Sequence, residues 1–439
     1  MPNLPKGSKK LLNAWAFYDW ANSVYSLVIA SAIFPIFYQA LFKTAGVTSV
    51  QVFGGAIRST PLISYTTAAA FLLVAIISPL LSGIADYVGN KKNFMKFFCY
   101  LGALSCMGLY FFSIENIHIS LLFYFFGLIG FWGSLVFYNS YLPDVAFPEQ
   151  QDRVSARGYS LGYIGSVVLL LFNLAMVMKP EAFGFGEGGA ASMKAMRWSF
   201  VTVGIWWILF SQYSFYFLPK GNKSGKKVST KILLNGFREL KGVYNSLSEN
   251  LQLKRYLAAF FVYSMAVQTV MLVATYFGEQ EINWGGDDAK TMGLIVSILI
   301  IQLVAVGGAI LTSRASEKFG NIPVLIAINI VWVGICIVAF FIVEPIQFYI
   351  TAGVVGLVMG GIQSLSRSTY SKFLPDTKDT TSYFSFYDVA EKIGIVIGML
   401  IYGFIDQITG SMRNSILFLV IFFMTGVFLL ARVPRNKNR

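Results

Sequence analysis

Asp19, Asn22, Ser23 and Ser26 recur at i, i+3, i+4 and i+7 within an apolar run, so a helix would place them on one face. A carboxylate with an amide and two hydroxyls can bind a proton or a small cation, because loss of hydration favours the neutral form of a carboxyl. Asp19 could equally cap the start of the helix. Gln363, Ser364 and Arg367 form a second polar group near the end of another apolar run. Arg367 could pair with an anion or simply reach out to the membrane surface. A third group is Tyr387-Asp388-Val389-Ala390-Glu391-Lys392. Asp388 and Lys392, four apart, can pair on one helix, which leaves Glu391 without a local partner and solvated at the helix start. Tyr138-Asn139, Arg157-Gly158-Tyr159, Tyr263 and Gln268-Thr269 are further polar marks, with ordinary interhelical hydrogen bonding as the alternative role. With one histidine, His118, and Cys99, Cys106 and Cys336 all in apolar runs, no metal site is expected. No Ser-His-Asp set can be assembled at one depth. No catalytic residue and no cofactor are expected, and a membrane enzyme acting on lipids lacks its chemistry.

The elements that must position these residues are membrane spans. Of 439 residues, 56% are apolar and only 13% charged, against roughly 25% charged in soluble domains. Twelve runs reach the roughly 20 residues that a helix needs to cross a bilayer. They lie near 14–42, 62–84, 93–114, 118–141, 158–178, 197–218, 256–277, 291–312, 323–343, 346–368, 384–405 and 414–431 and are numbered spans 1–12. The expected class is all-α integral membrane. With both termini cytoplasmic, 27 of the 34 Lys and Arg fall inside, as the positive-inside rule requires. The net charge of +13 then reflects topology and attraction to anionic lipid, and no nucleic-acid partner is needed. The first run lacks a cleavage site and reads as a retained helix, not a signal peptide.

The chain repeats itself. Leu142-Pro143-Asp144 ends the fourth run and Leu374-Pro375-Asp376 the tenth, an offset of 232; Asp86-x-x-Gly89 follows the second and Glu317-x-x-Gly320 the eighth, an offset of 231. Two pairs with nearly one offset indicate two six-helix pseudo-repeats, the architecture of secondary transporters. The expected division is 1–218 for the first bundle, 219–255 for a basic linker and 256–439 for the second bundle. In the linker, Leu233, Phe237, Leu240, Tyr244, Leu247 and Leu251 form one helical stripe, an amphipathic helix for the cytoplasmic surface. Glycines four apart, Gly158/Gly162, Gly356/Gly360 and Gly394/Gly398, allow close helix contact in lipid. Pro35 and Pro79 are expected to bend spans 1 and 2.

The loop after span 2, Gly83-Ile-Ala-Asp86-Tyr-Val-Gly89-Asn-Lys91-Lys92, resembles the loop signature of the major facilitator superfamily, shifted by one at its first glycine and with Tyr87 in place of a basic residue. Gly83, Asp86, Gly89, Lys91 and Lys92 are therefore candidate gating residues. A carboxylate there can accept bonds from a neighbouring helix start. More narrowly, the chain resembles the family of the fungal vacuolar amino-acid effluxer tied to autophagy and its bacterial relatives. The matching segments are Ala14 to Ser23, Tyr138 to Asp144, Arg157 to Tyr163, Gly360 to Ser368 and Phe386-Tyr387-Asp388. Two departures stand out. Span 7 of that family commonly reads Y-x-D-G-V-x-T, and Met265 stands here in place of the acid. Span 11 carries Glu391 and Met399 where small residues or proline are usual.

The resemblance implies the major facilitator fold and export or redistribution of small metabolites, amino acids among them. The reading is a monomeric carrier of a small polar solute, embedded in lipid of a bacterial cytoplasmic membrane and working by alternating access. Asp19 would couple the movement to protons. Asp19, Asn22, Ser23, Tyr138, Asn139, Tyr263, Gln268, Gln363, Arg367, Asp388, Glu391 and Lys392 are the substrate and coupling candidates. The alternative is a transport-inactive sensor or scaffold that docks through residues 219–255, motivated by the missing acid of span 7.

Overall fold

The computed structural model describes residues 4–52, 54–220, 238, 241–246 and 249–434. Apolar runs in a chain with this little charge can satisfy their backbone within lipid only as helices, and long helices are what form. Among the described residues, eleven are long and apolar enough to cross a membrane: Lys9–Ala45, Ser59–Val88, Lys91–Phe111, Ile117–Val145, Pro148–Met178, Gly189–Phe217, Leu251–Glu281, Ala289–Phe319, Asn321–Phe341, Pro345–Phe373 and Met412–Ala431. These are spans 1–10 and 12. Span 11, Thr380–Thr409, has 30 residues and carries Asp388, Glu391, Lys392 and Asp406; length suits it to cross, and its charges set it apart. The helices overrun the apolar runs at several ends because polar turns continue the helix into the interfacial region.

Two features depart from a plain helical ladder. Residues Tyr25–Ala32 of span 1 form a π-helix. The wide turns end three residues before Pro35, which lacks the N–H that a regular helix would use and whose ring crowds the preceding turn. Between spans 1 and 2, Ser49–Val52 (β1) and Gly55–Arg58 (β2) pair as an antiparallel hairpin, with Ser49 opposite Arg58.

The helices pack as two units, Met1–Asn139 with Leu161–Thr230, and Ser140–Ser160 with Lys231–Arg439. The stretch 140–160, which belongs to the first half of the sequence, thus packs within the second unit. Each unit has the same brace at one end of its helices. Arg197 of span 6 donates through Nη1 to the carbonyls of Tyr110 and Phe112, at 2.6 and 2.7 Å, and lies over the Phe37 ring. Arg413 of span 12 donates through Nη1 to the carbonyls of Phe340 and Ile342, at 2.8 and 2.7 Å, and lies over the Phe277 ring. One guanidinium nitrogen, through its two hydrogens, satisfies two carbonyls that a helix end leaves without partners. The recurrence of one device at spans 1, 3 and 6 and at spans 7, 9 and 12 is the duplication seen in atoms.

The glycine spacings place backbones in contact. A Cβ on Gly356 or Gly360 would collide with the carbonyl oxygens of Ile301 or Ala305, and one on Gly308 with that of Leu357. Spans 8 and 10 therefore meet backbone to backbone. Most of the linker stripe, Leu233, Phe237, Leu240 and Leu247, lies outside the described residues. Residues 241–246 are helical, with Val243 buried and Tyr244 exposed, and Ser246 shares a hydrogen bond with the Tyr383 hydroxyl at 2.9 Å.

Candidate functional site

In the first unit, the polar face of span 1 is built against spans 4, 5 and 6. The Asp19 carboxylate is buried and accepts a bond from the Tyr138 hydroxyl at 2.8 Å. Tyr138 is fixed in turn by Trp15, whose ring stacks on it at 4.6 Å and whose Nε1 donates to its carbonyl at 3.0 Å. Asn22 is buried, its Oδ1 accepts from Ser23 at 3.4 Å, and its Nδ2 has no hydrogen-bond partner. Gly162 and Gly165 let span 5 close onto this face: a Cβ on Gly162 would strike the Ser23 hydroxyl, and one on Gly165 would crowd the Trp20 backbone. Trp206 and Ser214 of span 6 donate to the carbonyls of Trp20 and Ala14 at 3.1 and 2.6 Å. Asp19, Asn22 and Ser23 therefore stand together as the spacing predicts, while Ser26 is exposed. Ser26 lies one residue into the π-helix Tyr25–Ala32.

In the second unit, spans 7, 10 and 11 build a second polar cluster. Lys392 Nζ donates to Asp388 Oδ1 at 3.0 Å and to Glu391 Oε2 at 3.1 Å, and Gln268 Nε2 of span 7 donates to Glu391 Oε1 at 2.8 Å. Glu391 is thus held on both oxygens; its expected position without a partner is corrected because Lys392 reaches both neighbours and Gln268 faces it. Tyr263 shares hydrogen bonds with Ser366 Oγ at 2.7 Å and with the Tyr256 hydroxyl at 3.2 Å. Met265, where the family motif has its acid, packs against Gly394 and Gly398 of span 11. Gln363 is half-buried, with Nε2 3.6 Å from Met271 Sδ; Asn139 is half-buried at the end of span 4.

Arg367 does not reach for the surface. It is buried, donates through Nε to Ser155 Oγ and through Nη2 to the Ser155 carbonyl, both at 3.0 Å, and its guanidinium lies 4.2 Å from the centroid of the Tyr159 ring. Ser155 Oγ donates to the Ser364 carbonyl at 2.7 Å. One turn away, Asp152 accepts from Ser316 Oγ and Asn321 Nδ2, both at 2.9 Å, and from Lys372 Nζ at 2.5 Å. Asn321 also donates to Thr369 at 2.9 Å, and the exposed Arg153 pairs with Glu317 at 2.9 Å. Asp152 lies in the first turns of span 5 and Lys372 in the last turn of span 10, so each charge suits the dipole of its own helix end. The sequence reading singled out none of Asp152, Ser155 and Lys372 as site residues. Nothing periodic marks them, since polar residues are ordinary at helix ends. Only the repeated acidic loop motif, through Glu317, points to this place.

In the loop after span 2, Gly89 has φ 66° and closes the helix, with its N–H on the Asp86 and Ala85 carbonyls; Gly320, its counterpart, has φ 82°. Both positions favour glycine because a side chain is strained there. Gly83 is buried and Asp86 half-buried. Lys91 and Lys92 are buried, and Lys92 Nζ donates to the Leu218 carbonyl at 2.6 Å, at the end of span 6.

The family described as "Vacuole effluxer Atg22 like" matches residues 7–439. The chain belongs to the Atg22-like family. Among its relatives is the MFS-type transporter YxiO of Bacillus subtilis, 32% identical over 432 residues, covering 97% of this chain and 95% of that protein. Autophagy-related protein 22 of Eremothecium gossypii is 24% identical, covering 96% of this chain and 91% of that protein. Among solved structures, the proton:xylose symporter XylE superposes with a TM-score of 0.71 at 12% identity, covering 97% of this chain and 95% of that one. The Escherichia coli fucose:proton symporter FucP superposes at 0.67 with 16% identity, covering 97% and 98%. The Atg22-like chain therefore has the major facilitator fold. It is a multi-pass membrane transport protein and not an enzyme.

Proposed function

We propose that this Atg22-like protein exports a small polar solute, amino acids or related metabolites among them, by alternating access. The observation that carries this reading is the mode of attachment of residues 148–160 within the second unit. Asp152, Arg153 and Ser155 hold this helix start to spans 8–10 through ion pairs and hydroxyl bonds. Such contacts can be exchanged for water without baring apolar surface, which a moving contact at a membrane face requires. The Asp86 loop, with Gly83, Gly89, Lys91 and Lys92, is the corresponding element of the first unit in this reading. Asp19, Asn22, Ser23, Tyr138 and Asn139 of the first unit, and Tyr263, Gln268, Gln363 and Arg367 of the second, are each unit's own candidate solute contacts in this reading. The direction is taken from the effluxer name of the family. In this reading both termini lie in the cytoplasm and a monomer suffices.

Proton coupling through Asp19 belongs to this reading. Its carboxylate is buried on a polar face, and Tyr138 holds it in place. The deciding experiment compares intracellular and external metabolites in bacteria with wild type, Asp19→Asn and no protein. A solute depleted inside only with the wild type supports export, and an unchanged metabolite profile refutes it. With that solute in proteoliposomes, unchanged proton flux and pH dependence in Asp19→Asn would remove Asp19 from the coupling.

A further inference from the structure

Span 11 carries two carboxylates and one ammonium inside one helical turn and a half. Asp388 is buried, with a relative exposure of 5%, and Lys392 with 1%. Asp388 Oδ1 and Glu391 Oε2 both accept from Lys392 Nζ, at 3.0 and 3.1 Å. Glu391 Oε1 accepts from Gln268, whereas Asp388 Oδ2 is buried and no donor reaches it. A carboxylate oxygen without a donor in a membrane interior is costly when charged.

The surroundings do not supply a second cation to the two carboxylates. Span 7 faces them with Tyr256, Tyr263 and Gln268, which are neutral donors, and the tyrosine hydroxyls are engaged with each other and with Ser366. Tyr370 of span 10 meets the Tyr387 ring at 4.6 Å and donates to the Tyr383 carbonyl. Arg367 of span 10 is spread over Ser155 and Tyr159. Span 12 brings Arg413, which pairs with Glu281 at 2.7 Å. Among the described residues, two anions therefore share one cation, and the group is neutral only with one added proton.

We propose that Asp388, Glu391 and Lys392 form a proton-binding site, distinct from Asp19, that takes one proton from water onto Asp388 Oδ2. The transfer is a simple protonation: the proton arrives from the aqueous phase, and no other bond changes. Lys392 stays charged and shifts its ammonium towards Glu391 when Asp388 is neutral. Gln268 positions Glu391 and keeps that carboxylate ionised as the partner of Lys392. That the site couples to solute movement rests on the transport reading above; that it binds a proton does not.

The test uses full-length protein in lipid and the infrared C=O band of protonated carboxyl groups, followed while the buffer is exchanged from acid to alkaline. Exposed carboxyls and Asp19 contribute alike to all variants at this site, so the wild type is expected to lose one carboxyl's worth of band more than Asp388→Asn does. Asp388→Asn and Glu391→Gln each leave a neutral pair with Lys392, so each should lack that component. Lys392→Met leaves two carboxyls with no cation, and the component should rise about twofold. Asp388→Glu retains the charge pattern and should retain the band, which separates a lost site from a damaged fold. Asp19→Asn should leave the component in place. An unaltered band in both Asp388→Asn and Glu391→Gln, or no gain in Lys392→Met, overturns the proposal. The readout needs no solute, so failure of the export reading would leave this band intact.

Discussion

Replacing Asp152 by Asn tests whether the start of span 5 is held by exchangeable polar contacts. The substitution keeps the shape of the side chain but removes its charge. It weakens the bond from Lys372 and turns one acceptor oxygen into an NH2 donor that faces the donor of Ser316 or Asn321, each 2.9 Å from the carboxylate. Hydrogen bonds to charged groups contribute about 1.5–3 kcal/mol each. Asp152 has a side-chain exposure of 3% and Lys372 of 21%, so solvent screens the pair only in part. A net loss of about 2–3 kcal/mol follows, roughly 30- to 150-fold in the opening equilibrium of this contact. Amide hydrogen exchange of residues 149–156 in lipid nanodiscs measures that equilibrium, and exchange there should accelerate by this factor while the cores of spans 4 and 9 keep theirs. Lys372→Gln should give a similar acceleration, and the double variant should fall short of the sum because one interaction is removed twice. Unchanged exchange in both single variants would refute the argument. A rise spread over all spans would also count against it, by showing general damage instead of a local release.

Three further outcomes follow from geometry. Gly360→Val drives a branched side chain into the Ala305 carbonyl and should cost about 1–3 kcal/mol, read as a lower midpoint in thermal-shift chromatography in detergent. Arg197→Lys and Arg413→Lys retain charge but lose the planar guanidinium whose Nη1 donates to two carbonyls and which lies over Phe37 or Phe277; each should destabilise by about 1–2 kcal/mol, and the same assay should give both the same sign. Arg367→Lys retains the charge but loses the stacking on Tyr159 and one of the two bonds to Ser155, so proteolysis near residue 155 should become faster than in the wild type.

The fold was legible because its cause is crude: a bilayer demands long apolar helices, and twelve such runs leave little choice. The face shared by Asp19, Asn22 and Ser23 was legible for the same reason, since periodicity carries it. The wide turns Tyr25–Ala32 have no mark in the sequence except Pro35 just beyond them. The pairing of Asp388 with Lys392 follows from spacing along one helix. The contact of Glu391 with Gln268 does not, because it depends on which faces of spans 7 and 11 meet. Asp152 and Lys372 are 220 residues apart, and their types are ordinary for helix ends, so only packing reveals them.

The polar residues of this chain fall into two kinds by depth. Those at the helix ends, such as Arg197, Arg413 and Asn250, satisfy carbonyls or amides that the helices leave without partners. They hold the bundle and need not move. Asp19, Asn22, Asp388, Glu391 and Lys392 sit within spans instead, where an apolar side chain would pack more cheaply. Asn22 Nδ2 and Asp388 Oδ2 are buried without hydrogen-bond partners. Asn173, Asn329 and Trp332 also carry buried polar atoms without partners, so a missing bond alone does not set a site apart from packing. What sets Asp388 apart is that its bare atom belongs to a group that carries charge within a span, beside a second carboxylate and one shared ammonium.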